Sequence, residues 1–220
     1  MIVIQDNFYP NPDKIREKAL KEFFFPGVKG RKIMFPGQRT ISSFSNENFI
    51  YMKNRLSKIL NRKIIWFPKK NSNTAFTLGL ETKNYQNWVH HDHANYSQEV
   101  TYKMNGEPWA SVLYLTPNAP VTHGTGLFRD KETSNVERTE SLTITKNGFR
   151  GFWEEQDDSE FEMHTYVGNI YNRLVMYPAT YWHAPFNAGW GHDKKSGRLV
   201  QVCFFTTETQ LEINLTKKQH

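Results

Sequence analysis

Cysteine is nearly absent from this chain, since its 220 residues include only Cys203. One cysteine cannot form an intrachain disulfide, and it cannot supply the several thiolates of a structural zinc or iron–sulfur site. The sequence therefore excludes a disulfide-rich secreted fold and is typical of a protein in a reducing compartment.

Long apolar runs are also missing. No window approaches the roughly eighteen consecutive apolar residues that a membrane-spanning helix needs. The N-terminus has no basic stretch leading into an apolar one, as a signal peptide would have. These absences predict a cytoplasmic protein that does not enter a membrane.

Acidic residues are outnumbered by basic ones, which gives a formal net charge of +6 and a pI near 9.3. Such a balance allows an acidic partner such as nucleic acid. The basic residues are scattered in small clusters, however, which is typical of a solvated surface and does not favour nucleic acid. The sequence also lacks a P-loop, a dinucleotide-binding fingerprint and a nucleophile elbow.

A hydrophobic content of 38%, with 15% aromatic residues, is typical of a globular chain rather than a disordered one. The length suffices for one well-buried core. We therefore predict a single domain over residues 1–220, with an N-terminal helical brace at 1–62, a jelly-roll core at 63–207 and a C-terminal tail at 208–220.

Two amphipathic helices are predicted in the N-terminal brace. Asn11 is suited to cap the first helix, with Pro12 at its first position. The second helix begins near Ser45, and its apolar residues recur at helical spacing. Between the helices, glycine, proline and basic residues around 29–40 predict a loop.

From Ile64 onward, short β-rich segments alternate with Gly, Pro and Asn turns, which predicts a sandwich or jelly roll. The fold class is therefore α+β, mainly β, with a jelly-roll core braced by N-terminal helices. A jelly roll brings strands that are distant in the chain next to each other. The predicted strands cover residues 2–4, 64–67, 75–80, 88–92, 100–103, 109–116, 126–129, 143–146, 164–167, 173–177 and 198–206.

The segment Trp88–His93 carries the most specific chemical signal. In an extended chain every second side chain shares a face, so His90 and Asp92 lie together while His91 points to the opposite face. Two histidines and one carboxylate on one face form the typical site of an oxygen-activating iron(II). His183 is predicted to be the third ligand, from a neighbouring strand. In the alternative register, His91 and His93 are the ligand pair in place of His90 and Asp92.

At these residues the chain resembles the iron(II)- and 2-oxoglutarate-dependent dioxygenases, particularly the prolyl-4-hydroxylase-like branch. The matching features are the His-x-Asp motif, an apolar strand ending in Tyr114-Leu115, a glycine-rich turn at His123–Gly126, the distal His183 and an arginine opening the last strand. The resemblance covers about residues 70–207 and implies a double-stranded β-helix, which is the cupin-like jelly roll.

The resemblance also implies roles for individual residues. His90, Asp92 and His183 would bind iron(II), Arg198 would pair with the distal carboxylate of 2-oxoglutarate, and Tyr114 would hydrogen-bond to that carboxylate. The retained carboxylate at Asp92 favours hydroxylation over halogenation. Relatives that repair alkylated nucleic acids carry a second arginine where this chain has Phe204. This difference argues against a nucleic-acid substrate.

The predicted function is therefore a hydroxylase that uses iron(II), 2-oxoglutarate and O2 and releases succinate and CO2. The alternative is a non-catalytic jelly-roll protein that binds a metal or a small ligand. Arg198 and Tyr114 favour the enzyme, because a generic metal-binding jelly roll needs neither of them.

The substrate is predicted only as a small molecule or peptide. An anionic group is suggested by Arg31, Lys32 and Arg39 in the predicted N-terminal loop, with Trp88, Trp109 and Trp182 near the motifs. Residues 130–163 are polar and long enough to form a lid over the site, and the alternative is a solvent-exposed insertion without a chemical role.

Overall fold

The structure is a computed structural model of the full chain. It describes residues 1–29, 32–41, 46–68, 73–81, 89–92, 106–137, 158–187 and 189–209.

Two α-helices occupy the N-terminal region. Helix α1 (Pro12–Lys21) begins as predicted, because the Asn11 side chain accepts a hydrogen bond from the Lys14 amide at 3.2 Å and Pro12 occupies the first turn. Helix α2 (Asn46–Leu60) buries its apolar stripe, with Met52 and Leu56 fully enclosed. Among the described residues, no helix is long and apolar enough to cross a membrane.

The strands of the described residues form two antiparallel sheets. The strands are β1 (Val3–Gln5), β2 (Phe25–Lys29), β3 (Lys32–Arg39), β4 (Ile64–Trp66), β5 (Phe76–Gly79), β6 (Glu107–Tyr114), β7 (Thr125–Asp130), β8 (Phe161–Val167), β9 (Leu174–Pro178), β10 (His183–Pro185) and β11 (Arg198–Thr207). In the larger sheet the order is β1, β9, β6, β11, β5, β3, β2, and β4 also pairs with β11. In the smaller sheet the order is β10, β7, β8.

Strand β11 is buried along its whole length, since it pairs with β6 on one side and with β5 and β4 on the other. Its side chains alternate between two separate cores. Leu199 and Phe205 pack toward the helices, whereas Val200 and Phe204 pack toward the smaller sheet. Because both faces of β11 are buried in apolar cores, its sequence is apolar along nearly its whole length.

The core between the two sheets, called the inter-sheet core below, is the layer that surrounds the candidate site. Residues from both sheets contribute to it, as a jelly roll requires. Its buried members are Ala110, Tyr114, Leu127, Val167, Val175, Tyr177, Ala179, Val200, Val202 and Phe204.

The predicted loop at residues 29–40 is wrong, because β2 and β3 form a hairpin that pairs with the larger sheet through β5. Proline and glycine suggested a loop, but Pro36 lies where the register of β2 and β3 shifts, between the paired residues Ile33 and Gln38, and proline is tolerated at such an irregularity. Gly37 adopts a φ of +80°, and a Cβ there would overlap the Leu78 carbonyl oxygen. Glycine therefore permits the close strand approach rather than ending the strand.

The other predicted strands are confirmed to within about three residues wherever the structure describes them, with one exception. Residues 89–92 of the predicted strand 88–92 form only an isolated bridge between His90 and His183. The predicted strands 100–103 and 143–146 lie outside the described residues, as do Arg31, Trp88 and His93.

Candidate metal centre

His183 reaches the site through the register of the smaller sheet. It lies opposite Leu127 on β7, and laterally paired residues of antiparallel strands project to the same face. Leu127 belongs to the inter-sheet core, so His183 also points between the sheets. Its neighbour Ala184 packs on the opposite face with Val89 and Phe128.

The segment 89–92 is attached to β10 by backbone hydrogen bonds. The His90 amide donates to the His183 carbonyl at 2.9 Å, and the His183 amide donates to the His90 carbonyl at 2.8 Å. The Asp92 amide donates to the Ala179 carbonyl at 2.8 Å. These bonds place two residues of a distant segment beside His183, as the sequence predicted.

The candidate ligand atoms of His90, Asp92 and His183 all lie within 4.8 Å of one another. Nε2 of His183 is 3.1 Å from one oxygen of Asp92, and Nε2 of His90 is 3.9 Å from the other. This group of two imidazoles and one carboxylate is the donor set that suits iron(II) with open coordination positions.

The orientation of His183 also fits a metal ligand. Its Nδ1 lies 2.9 Å from the Tyr181 carbonyl oxygen, which can only accept a hydrogen bond. Nδ1 therefore carries a proton, which leaves Nε2, on the side of Asp92, as the atom available to a metal. Such a hydrogen bond behind the ring is the usual way in which proteins fix a histidine ligand.

Asp92 is held in its ionised form. Burial raises the pKa of Asp92, but the neighbouring charges of His183, His90 and Arg39 outweigh it and lower the pKa below the usual value. A buried carboxylate with these neighbours is ready to bind a cation without first losing a proton.

Arg198 and Tyr114 lie on the same face of the larger sheet. Tyr114 pairs with Val200, and Arg198 is two residues from Val200 on the same strand, so all three side chains face the inter-sheet core. The Arg198 guanidinium lies 5.7 Å from the centre of the Tyr114 ring. Both residues are buried.

Arg198 is suited to bind an anion. Its guanidinium donates to the carbonyl oxygens of His123 and Gly124, at 3.3 and 3.5 Å. Among the described residues no carboxylate pairs with it. A buried cation held by neutral carbonyls therefore fits the distal carboxylate of 2-oxoglutarate. The predicted glycine-rich turn at His123–Gly126 supplies these carbonyls, a role that the sequence did not indicate.

Other cations near the sequence motifs are engaged elsewhere. Arg173 binds both carboxylate oxygens of Asp6, at 2.6 and 2.9 Å. Lys194 donates to the Glu22 carbonyl and lies over the Phe24 ring. These contacts favour Arg198 as the residue that holds the cosubstrate.

Tyr177 is a site residue that the sequence analysis missed. It is 1% exposed, and its ring centre lies 4.6 Å from that of His183. Its hydroxyl makes no hydrogen bond with the residues that the structure describes. A hydroxyl beside the candidate metal ligands, with no hydrogen bond to the described residues, is suited to bind a ligand oxygen. Alternation along β9 from buried Val175 could have identified it.

The other aromatic and histidine candidates have different positions. His91 projects away from the metal ligands and its ring meets Trp182 edge-on, with the ring centres 5.1 Å apart. Trp109 is buried against Phe205 and takes no part in the site. Of the predicted lid at 130–163, residues 138–157 lie outside the described part of the chain, so the lid stays a prediction.

The fold is a double-stranded β-helix like that of the iron(II)- and 2-oxoglutarate-dependent oxygenases, and His90, Asp92 and His183 form a candidate metal site in it. The chain belongs to the family described as "Family of unknown function (DUF6445)", whose model matches residues 1–205. No curated protein matches the chain.

Several solved structures are similar over nearly the whole chain. The non-heme α-ketoglutarate-dependent epimerase SnoN from nogalamycin biosynthesis is 11% identical with a TM-score of 0.52, covering 94% of this chain and 78% of SnoN. AviO1 from Streptomyces viridochromogenes is 10% identical with a TM-score of 0.49, over 93% of this chain and 89% of AviO1. A prolyl hydroxylase from Trichoplax adhaerens is 12% identical with a TM-score of 0.47, over 94% and 83%. At these identities the similarity to SnoN shows the fold alone.

Proposed function

We propose that the protein is an iron(II)- and 2-oxoglutarate-dependent oxygenase that hydroxylates its substrate. The observation that carries the proposal is the gathering of His90, Asp92 and His183 within 4.8 Å, on the side of the smaller sheet that faces Arg198 and Tyr114. A metal site alone would fit many jelly-roll proteins. A metal site with a buried arginine that has no carboxylate partner among the described residues fits a dicarboxylate cosubstrate.

Each ligand has a defined role in this proposal. His90, Asp92 and His183 would hold the iron(II), because two imidazoles and one carboxylate suit this ion. When bound, iron(II) and 2-oxoglutarate would supply the oxidising chemistry, in which one oxygen atom of O2 enters succinate as 2-oxoglutarate loses CO2 and the other enters the substrate. The protein orients the groups and excludes water, because the site lies between two packed sheets.

Arg198 and Tyr114 orient the cosubstrate. The guanidinium of Arg198 can bind a carboxylate through two parallel hydrogen bonds. Burial is the main cause that raises the pKa of Tyr114 to about 12, so its hydroxyl stays protonated and can donate at neutral pH. The same hydroxyl lies 2.7 Å from Oγ1 of Thr125, which keeps it pointed across the inter-sheet space.

The proposal is tested first by binding and then by turnover. Adding iron(II) and 2-oxoglutarate without oxygen should produce the weak visible charge-transfer band of their chelate. Admitting oxygen should then release succinate. A protein that binds iron but gives neither the band nor succinate would instead be the non-catalytic jelly-roll protein.

Matched histidine variants test the ligand assignment. His90→Ala, Asp92→Ala and His183→Ala should each abolish the band and succinate release while the far-UV circular dichroism stays unchanged. His91→Ala is the control, since His91 is adjacent in sequence but packs against Trp182. Loss of the band in His91→Ala together with its retention in His90→Ala would show that the register is wrong.

A further inference from the structure

Tyr177 lies two rows of residues along the larger sheet from Tyr114. Residues that lie opposite each other on neighbouring strands form such a row and share a face. Tyr114 lies opposite Val200, whereas Tyr177 lies opposite Ala110, four residues earlier on β6. Four residues of a strand span about 13 Å. On β6, β9 and β11 the row between the two tyrosines consists of valines, namely Val112, Val175 and Val202.

The Tyr177 side chain lies beside the candidate metal site. Its ring packs on the His183 ring, with the ring centres 4.6 Å apart and an angle of 49° between the planes. Its hydroxyl is not among the fully enclosed polar atoms of the described residues that lack a partner, so accessible space reaches it. Burial is the main cause that raises the pKa of Tyr177, and the Asp92 carboxylate raises it further, which agrees with this position.

The order of these side chains matches the order of groups in 2-oxoglutarate. Arg198 and Tyr114 lie at the end assigned to the distal carboxylate. The valine row comes next and suits the methylene groups, since apolar surfaces gain by leaving water. Tyr177 and His183 lie beyond the valines. The spacing of the two tyrosines accommodates a five-carbon chain with a hydrogen bond of about 2.8 Å at each end.

From this arrangement we infer that the Tyr177 hydroxyl donates a hydrogen bond to the metal-bound 2-oxo acid end of 2-oxoglutarate. The inference rests on the proposed function, because it assigns the distal carboxylate to Arg198 and Tyr114. A tyrosine hydroxyl is protonated at neutral pH, so it can donate to a carboxylate or keto oxygen. Tyr177 would thereby recognise the group that distinguishes a 2-oxo acid from an ordinary dicarboxylate.

The inference is tested by removing the hydroxyl alone. Tyr177→Phe keeps the ring that packs on His183. In anaerobic titrations of the iron(II)-loaded protein, the Kd for 2-oxoglutarate should rise about tenfold or more, as expected for one hydrogen bond to a charged acceptor. The charge-transfer band should move to shorter wavelength, because a hydrogen bond to the 2-oxo acid lowers the energy of its acceptor orbital.

Measurements without cosubstrate separate this role from support of the metal ligands. The Kd for iron(II) alone should be the same in Tyr177→Phe as in the wild type. The urea midpoint of the metal-free variant should not fall, because the hydroxyl has no hydrogen bond to the described residues that the substitution could remove.

Tyr9→Phe is the matched control. Tyr9 is buried on the side of the larger sheet that faces the helices, and its hydroxyl donates to Oε1 of Gln201 at 2.9 Å. Removing this hydroxyl takes a partner from a buried amide oxygen, so the urea midpoint should fall. The Kd for 2-oxoglutarate and the band should stay as in the wild type.

Two results would overturn the inference. An unchanged Kd for 2-oxoglutarate with an unchanged band in Tyr177→Phe would show that the hydroxyl does not meet the cosubstrate. A weaker affinity for iron(II) alone would make Tyr177 a support for His183. The proposed function fails differently, since the wild type itself would then show no band, whereas a wild-type band that is insensitive to Tyr177→Phe rejects only this inference.

Discussion

At the scale of single residues, the site depends on side chains that hydrogen bonds to backbone carbonyls hold in position. His183 donates from Nδ1 to the Tyr181 carbonyl, and Arg198 donates to two carbonyls of the turn after β6. Neither hydrogen bond occupies the atoms that would bind a ligand. Nε2 of His183 and the carboxylate-binding capacity of Arg198 both remain directed into the inter-sheet space.

The first prediction at this scale concerns Arg198. Arg198→Lys keeps the charge but loses the fork, so the apparent affinity for 2-oxoglutarate should fall about tenfold or more, while the maximal rate changes less. Succinate release measured against 2-oxoglutarate concentration separates the two effects. Arg173→Lys is the control, because Arg173 pairs with Asp6 and should leave this affinity unchanged. An unchanged affinity in Arg198→Lys would assign the cosubstrate carboxylate to another cation, with Arg39 the first to examine.

At the scale of elements, the turn between β6 and β7 links the fold to the cosubstrate pocket. The Gly124 amide donates to the Tyr166 hydroxyl at 2.8 Å, and the Gly124 carbonyl accepts from Phe186 and Arg198. A Cβ at Gly124 would overlap the Val167 carbonyl oxygen. The turn therefore approaches β8 more closely than any side chain would allow.

Gly124→Ala should consequently reduce both stability and cosubstrate binding. We expect a loss of about 1–3 kcal/mol in the free energy of unfolding, because a backbone carbonyl cannot move aside as a side chain can. The affinity for 2-oxoglutarate should fall as the carbonyls behind Arg198 shift. Urea unfolding and the charge-transfer titration measure the two effects.

Gly168→Ala is the control for this substitution. Its Cβ would first meet a methyl carbon of Val121 at 2.7 Å, and Val121 is exposed and can move. Its effect should stay below about 1 kcal/mol, without a change in 2-oxoglutarate affinity. Equal losses in the two variants would mean that the turn does not position Arg198.

At the scale of the whole molecule, metal binding should stabilise the fold. The ligands come from two segments distant in the chain, and the described backbone hydrogen bonds between these segments are the His90–His183 pair and the bond from Asp92 to Ala179. A ligand that binds the folded state alone at a hundred times its Kd adds about 2.7 kcal/mol. For a chain of this size, that corresponds to a rise of roughly 5–10 °C in Tm.

Differential scanning calorimetry with anaerobic iron(II), followed by a chelator, measures this shift. Asp92→Ala should lose the shift, whereas His91→Ala should keep it. A shift of equal size in Asp92→Ala would place the stabilising metal elsewhere in the molecule.

Much of the site was already determined by the sequence. Alternation along an extended chain put His90 and Asp92 on one face and His91 on the other, and the structure has this arrangement. Helix capping at Asn11 and the apolar strand from Arg198 were also local signals. These features were predictable because they depend on the geometry of neighbouring residues in the chain.

Only the tertiary structure decided which distant residues meet. Opposite pairing across β3, β5, β11 and β6 put Arg39 in the inter-sheet space, although its proline- and glycine-rich surroundings had predicted a loop. The carbonyls of His123 and Gly124 became partners of Arg198 in the same way, and Tyr177 came to face His183. Strand order and register arise from contacts between segments far apart in sequence, and no local pattern of residue types specifies which segments pair.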